Sequence, residues 1–266
     1  MSRCAWGGCL LLNSLAWAEE APEPGVAREY KLQLDTQVDL ERLAARLQTV
    51  LPAHGATVNG HFKVRKHRDV VFFDSPASCV LRRAGWILRA RGDAGRKREL
   101  TLKLRGDAGL PEDAALRSTR DVAFKQEEDV SPPATVVPSY SWSRQSRHAI
   151  LSLQDARALF PVLQAVDLGP AQALQPVAGL AIREQTYVLL RLSFAGQDYP
   201  LEASVWQRPD AQPLLVELSF RFDNSWAGRQ EALRIFAVLQ TQAGVLPAAQ
   251  SKTEALYQVD GNFCRR

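Results

Sequence analysis

The chain has 266 residues, of which 46% are hydrophobic and 23% are charged, a composition typical of a globular protein with a buried core. The net charge of +4 is too small to indicate nucleic-acid binding by itself. The length is compatible with one large domain or with two small ones.

The N-terminus predicts a secretory signal peptide. A basic residue precedes an apolar run, and Ala16 and Ala18 form an A-x-A site, so we expect cleavage after Ala18. Residues 1–18 would be removed, 19–25 would form a flexible leader, and the mature protein would be periplasmic or secreted. A lipoprotein site at Cys9 fits less well, and a misassigned start codon is the other alternative. The run is too short for a membrane span, and no other segment of the sequence approaches one.

Two cysteines remain after this cleavage, Cys79 and Cys264. They could form a disulfide in an oxidising compartment, but the sequence leaves their pairing open because it does not give their distance. Neither cysteine lies in a metal-spaced cluster, which argues against structural zinc.

The predicted elements alternate between strands and helices along the chain. Residues 131–147, rich in Pro and Ser, are interpreted as a connection. DSPASCVLRRAG predicts a short helix with Ser75 as N-cap, Pro76 at its first position and Gly85 past its end. Helical spacing predicts further helices at about 38–51, 153–163 and 226–243. Period-two alternation predicts strands at about 26–34, 57–73, 88–91, 100–105, 119–130, 181–194, 199–207 and 214–222.

The polar faces of these strands carry an unusual excess of positive charge. In LRARGDAGRKRELTLKLRG, which begins at Leu88, cations alternate with apolar residues on both sides of a turn. On alternation alone, solvated outer faces of a sandwich are the simpler interpretation. A closed eight-stranded antiparallel barrel would instead remove the sheet edges and bury the apolar faces beneath the helices. The fold class would then be α+β, with the cations inside the barrel.

Several motifs resemble those of the CYTH family, the triphosphate tunnel metalloenzymes. The segment RDVVFFDSPASCVLRRAGWILRARG is similar to the family's central pattern, LTLKLRG to its T-x-K strand, and SKTEALY to its late Ser-Lys motif. The resemblance covers residues 26–258, which it implies to be a triphosphate tunnel domain, and leaves 259–266 as a C-terminal tail. It implies an eight-stranded barrel whose tunnel binds triphosphate.

The resemblance also implies the site residues. Its carboxylates would hold Mg²⁺ or Mn²⁺, with Glu29 and Glu217 as metal ligands and Glu202 as a possible third. The family's two E-x-E motifs are incomplete, because Ala27 and Ser219 stand where it has Glu. Magnesium often takes only one or two carboxylates, with water and substrate completing its shell. The implied phosphate ligands are Lys31, Arg89, Arg91, Lys103, Arg105, Arg183 and Lys252.

Two functions remain open at this stage. The first is metal-dependent hydrolysis of a triphosphate or another phosphoanhydride, with no general base identified. The second is a catalytically lapsed module that binds inorganic triphosphate, polyphosphate or a similar polyanion. The basic stretch HFKVRKHRDV lacks interleaved aromatic residues, which favours a solvated strand end over nucleic-acid binding. No H-E-x-x-H, G-x-S-x-G or P-loop motif is present in the sequence.

Overall fold

The structure is a computed structural model of the chain. The predicted signal peptide (1–18) and leader (19–25) lie outside the residues that it describes. The described residues are 26–76, 78–92, 96–106, 110, 119–170, 172–194, 196–222, 226–246 and 250–265.

The strands of the described residues form one sheet, and most of it closes on itself. β2 and β8 are short additions, whereas the other nine strands form a barrel in the order β9-β10-β11-β1-β6-β7-β5-β4-β3, with β3 pairing back to β9. The strands are β1 (Ala27–Leu34), β2 (Thr57–Asn59), β3 (Lys63–Asp74), β4 (Trp86–Arg91), β5 (Arg98–Arg105), β6 (Ala123–Ser131), β7 (Thr135–Ser146), β8 (Gln175–Pro176), β9 (Ile182–Phe194), β10 (Gln197–Gln207) and β11 (Pro213–Phe222).

The closed barrel confirms the predicted α+β class but corrects the strand number and direction. The prediction of eight antiparallel strands omitted β7, which lies between β5 and β6. A closed ring with an odd number of strands must contain a parallel pair, and here β1 and β6 are parallel, with Glu29 opposite Asp129.

The strand β7 was missed because its Pro and Ser residues are typical of a connection. Ser139, Ser141 and Ser143 face the barrel interior, opposite lumen-facing residues of β5, which include Arg105 and Lys103. Small side chains at these positions leave room in the lumen for the long cations across the strand pair. The stretch predicted as a connection is therefore part of the barrel wall.

Helices cover the outer face of the barrel, as predicted. Leu43 and Leu47 of α1 pack with Ile235 and Phe236 of α4 in one apolar cluster that includes the outer face of β1. Leu153 of α3 belongs to a second cluster, over β4, β5 and β7. Within the described residues, no helix combines the length and apolarity needed to cross a membrane. The helices are α1 (Leu40–Ala53), α2 (Val80–Arg83), α3 (Leu153–Leu159), α4 (Trp226–Gln242) and α5 (Lys252–Val259).

The start of α2 differs from its sequence prediction. The helix begins at Val80, and the predicted Ser75 shares its capping with Asp74: Ser75 Oγ accepts a hydrogen bond of 3.2 Å from the Val80 N–H. The Asp74 carboxylate accepts hydrogen bonds from the backbone N–H groups of Leu81 (3.1 Å) and Arg82 (3.0 Å). A buried carboxylate at the end of β3 therefore positions the helix that follows it.

Helix α5, which the periodicity did not predict, covers one end of the barrel. Its Leu256 and Tyr257 join Phe72, Trp206 and Leu215 in an apolar cluster on the lumen side of the sheet. The Tyr257 hydroxyl also donates a hydrogen bond of 2.6 Å to Asp74. Part of the lumen is therefore an apolar core, and the charged cavity occupies the remainder.

A disulfide joins Cys79 and Cys264, whose Cα atoms are 5.2 Å apart. It connects the residue before α2 with the segment after α5, where Phe263 is buried. The pairing that the sequence left open is thus present, and it links positions separated by 185 residues.

We expect loss of this disulfide to destabilise the protein. Cys79→Ser should lower the free energy of unfolding by about 2–5 kcal/mol, because the bond restricts the unfolded chain over a long loop. Denaturant titration measures the change. Cys264→Ser and the double variant should lose the same amount, since all three remove one bond. A double variant as stable as the oxidised protein would contradict the expectation.

Candidate functional site

A cavity of about 830 Å³ lies inside the barrel. Its wall is formed by β1, β4, β5, β6, β7 and β11, together with one residue of β3 and the start of α5. Among the described residues, eight cationic and five acidic side chains line it. The cations are Lys31, Arg89, Arg91, Lys103, Arg105, Lys125, Arg221 and Lys252, and the acidic residues are Glu29, Glu127, Asp129, Glu217 and Glu254.

The structure brings six of the seven implied phosphate ligands together in this cavity, and Arg183 is the exception. Arg183 is exposed, whereas its neighbours Ile182 and Glu184 are buried on the lumen side of β9. The alternation of side chains along a strand therefore directs Arg183 to the outer face.

The three implied metal ligands do not all line the cavity. Glu29 and Glu217 line the cavity, but Glu202 does not; it forms an ion pair with Arg65. No described residue of β9 or β10 lines the cavity, because the apolar cluster around Trp206 occupies that side of the lumen.

Asp129 is the centre of the site, and the sequence analysis missed it. The Asp129 carboxylate accepts from Lys31 Nζ (2.6 Å), Lys103 Nζ (3.3 Å) and Arg105 Nε (2.8 Å). Burial would raise the pKa of Asp129, but these cations outweigh burial and hold the pKa far below its ordinary value. Asp129 lies in the predicted strand at 119–130, but only the parallel pairing of β1 and β6 brings it beside Lys31.

Glu29 and Lys31 form a second ion pair, with 2.8 Å between Oε2 and Nζ. Burial would raise the pKa of Glu29, but Lys31 outweighs this effect and the pKa falls to about 2. For Lys31, burial would lower the pKa, but Glu29 and Asp129 raise it above its ordinary value. Both groups are therefore charged throughout the neutral range.

Arg89 and Arg91 lack this compensation. Their Nε groups are buried without a hydrogen-bond partner in the described part of the chain. Arg91 comes no closer than 3.9 Å to Glu99, and Arg89 has no ion pair there. Burial and then the neighbouring Arg91 lower the pKa of Arg89 to about 9. A buried arginine without an ion-pair partner is stabilised when an anion binds to it.

The charge of Lys103 is compensated less well than that of Lys31 and better than that of Arg89. Burial and the adjacent Lys31 lower its pKa from 10.5 to about 7, although Asp129 opposes the shift. In the ligand-free protein, the surroundings of Lys103 therefore stabilise its protonated, charged form only in part. An anion that binds here would restore that charge by raising the pKa again.

Helix α5 contributes Lys252 to the other side of the cavity. Ser251 caps the helix, and Lys252 follows it at the first helical position. The Lys252 ammonium contacts Glu217 Oε1 (2.7 Å) and Ser204 Oγ (2.5 Å), and lies 5.4 Å from the centre of the Trp206 ring. The lysine of the late Ser-Lys motif therefore lies in the lumen.

Five further charged groups near the site were not predicted as site residues: Lys125, Glu127, Arg221 and Glu254 line the cavity, and Glu184 lies on the lumen side of β9. Glu127 lines the cavity beside Lys125 and Arg221, whose Nε is 3.1 Å away. Glu184 is buried deeper, where it accepts a hydrogen bond of 2.9 Å from Trp206 Nε1 and pairs with Arg68. Glu127 and Glu184 both lie on the lumen side of strands whose residues alternate in direction. That alternation is the sequence pattern from which they could have been found.

We tested whether the carboxylates fit the Mg²⁺ or Mn²⁺ that the resemblance implies. Glu29 and Asp129 are directly opposite and both contact the Lys31 ammonium, whereas Glu217 is opposite Gln33, four residues along β1. In the described part of the chain, no three acidic, His or Cys side chains converge as a metal site. Two adjacent carboxylates fit a magnesium ion whose remaining ligands are water and phosphate oxygens.

The chain matches no family model, and it matches no curated protein. The resemblance to the CYTH family therefore rests on the motifs in the sequence.

The uncompensated charge at Arg89 predicts a gain of stability when it is removed. Arg89→Met should raise the melting temperature of the ligand-free protein by about 2–4 °C, the shift that ~1 kcal/mol gives in a domain of this size. Arg105→Met is the matched control. It should lower the melting temperature, because Asp129 would lose a partner and the pKa of Arg105 shows that its charge is stabilised. Scanning calorimetry measures both, and shifts of the same sign would contradict the argument.

Lys103 predicts a pH dependence of stability. Because its pKa is about 7 in the folded protein and 10.5 ordinarily, the unfolded state binds more protons between these values, and stability should rise with pH across this window. Thermal unfolding between pH 7 and about 10 measures the slope. The slope should be smaller in Lys103→Met, and an unchanged slope in that variant would contradict the assignment.

Proposed function

We propose that the protein binds a triphosphate or another phosphoanhydride in this cavity and hydrolyses it with the help of Mg²⁺ or Mn²⁺. The observation that carries the proposal is the excess of cations in the lumen, in which Arg89 has no ion pair within the described residues. Confined cations are costly to desolvate, and a polyanion offsets that cost. Phosphate oxygens suit arginine and lysine donors.

The site divides into groups that are free to bind and groups that must first exchange partners. Arg89 and Arg91 contact the incoming phosphates directly, since they lose little by turning to a ligand. Lys31, Lys103 and Arg105 are held by Asp129. Their transfer from that carboxylate to phosphate oxygens would leave Asp129 with fewer cations, and so able to accept a metal ion.

Glu29 and Asp129 would hold the metal, which when bound would neutralise charge on the phosphoryl group that is transferred. The surrounding arginines and lysines orient the chain of phosphates and stabilise negative charge on the leaving group. No side chain is assigned as general base. The disulfide between Cys79 and Cys264 supports the proposal that the protein works in the periplasm or outside the cell, since such bonds persist in oxidising compartments.

A second candidate is binding of the same polyanions without hydrolysis. It is favoured by the residues at positions 27 and 219, where Ala and Ser replace the carboxylates that the resemblance implies. It is also favoured by the ion pairs that already occupy Glu29 and Glu217. Under this proposal the lumen captures the anion and the metal is not needed.

Two measurements on the purified protein separate these functions: phosphate release from inorganic tripolyphosphate with Mg²⁺ or Mn²⁺, and calorimetric binding of tripolyphosphate without metal. Arg89→Ala should weaken binding about 10- to 100-fold, the loss of one charge-assisted contact. Arg183→Ala removes the same charge from the outer face and should leave binding unchanged.

For the enzyme, Glu29→Gln should reduce metal-dependent phosphate release about 100-fold, while Glu41→Gln on the exposed face of α1 should have no effect. Tight binding without turnover, insensitive to Glu29→Gln, would support the binding module instead. Absence of binding to the unaltered protein would refute both.

A further inference from the structure

The structure points to a second binding surface for phosphate chains, outside the cavity. We propose that a long-chain polyphosphate leaves the lumen beside Arg91 and continues along the lumen-side face of β3, over a surface that we call the basic trough. The trough consists of Lys63, Arg65, Lys66 and Arg68. The inference rests on the proposed function and makes its substrate class a polyphosphate longer than the cavity.

The trough exists because β3 is longer than its neighbour β4. The two strands pair from Val70, opposite Arg91, to Phe73, and the last contact is a hydrogen bond of 2.9 Å from Gly92 N–H to the Asp69 carbonyl. Beyond it, residues 63–68 pair with β9 on one side. Within the described residues, the barrel wall therefore continues here as a strand that is paired on one side only.

Register places the basic side chains on the lumen side of this strand. Arg68 is opposite Glu184, and Lys66 is opposite Thr186. Glu184 marks the lumen face, because it contacts Trp206 in the lumen cluster. An irregularity in pairing between Val64 and Lys66 returns Lys63, three residues earlier, to the same face.

Two of these cations have no acidic partner. Arg65 pairs with Glu202 and Arg68 with Glu184. Lys63 and Lys66 are exposed, and neither has an ion pair or hydrogen bond among the described residues. Partial burial and the nearby cations Arg68 and Arg91 lower the pKa of Lys66, and Arg91 is also part of the cavity wall.

Charges on a free strand edge also prevent aggregation, but that role does not explain their arrangement. Edge protection requires charge on either face, whereas here the four Lys and Arg side chains share the lumen-side face, and the exposed residues on the opposite face are Val64, 51% exposed, and His67. Cations on one face of a strand recur every ~6.8 Å, and a flexible chain of phosphates can follow such a row from Arg91 outward.

The test compares short and long phosphate chains on one protein. Binding of tripolyphosphate and of a long-chain polyphosphate is measured by calorimetry for the unaltered protein and for Lys63→Gln/Lys66→Gln. The matched control is Arg42→Gln/Arg83→Gln, which removes the same charge from exposed positions on α1 and α2. We expect the trough variant to weaken long-chain binding about tenfold and to leave tripolyphosphate binding unchanged, while the control changes neither.

Three outcomes would overturn the inference, and each differs from failure of the proposed function. Long and short chains could bind equally tightly, the trough variant could match the control, or a single-stranded oligonucleotide could bind as tightly as polyphosphate and weaken equally in the variant. In each case tripolyphosphate binding survives, and with it the proposed function. If tripolyphosphate itself does not bind the unaltered protein, both proposals fail together.

Discussion

The confinement of like charges inside a closed barrel is the constraint on which the structure depends. Desolvated cations repel one another, and they are tolerated where a carboxylate or a ligand compensates them. Asp129 provides this compensation for Lys31 and Arg105, and in part for Lys103. Arg89 has no ion pair with Asp129, so its positive charge on β4 remains uncompensated among the described residues. Under the proposed function, stability and ligand binding therefore compete at the same residues, as is common in functional sites.

The division of the lumen follows from the same constraint. One side is filled by apolar groups around Trp206, and α5 covers this side while its first residue, Lys252, reaches the charged cavity. The disulfide after α5 and the hydrogen bond between Tyr257 and Asp74 hold the helix in place. Barrel closure, the apolar cluster and the terminal helix thus act together to present the cations to one cavity.

Much of the cavity was accessible to sequence reasoning because strand alternation is local. The alternation in β4 and β5 correctly placed Arg89, Arg91 and Lys103 on one interior face. On β9 the alternation opposes Arg183 and Gln185 to Ile182, which predicted Arg183 on the interior face, as the motif resemblance did. The structure instead exposes Arg183 and buries Ile182 and Glu184. The Pro- and Ser-rich composition of 131–147 concealed β7, since turn residues and small lumen-facing residues look alike in a sequence.

The sequence by itself determined the α+β class, the positions of most strands and the outer helices, because apolar periodicity depends on neighbours two to four residues apart. Tertiary structure decided the strand number, the parallel pairing of β1 with β6 and the partner of Cys79. It also decided that Asp129 joins three cations and that the cationic face of β3 extends beyond the barrel. These features depend on which strands meet across roughly a hundred residues of chain, as between Lys31 and Asp129, and on where neighbouring strands end, which no local pattern encodes.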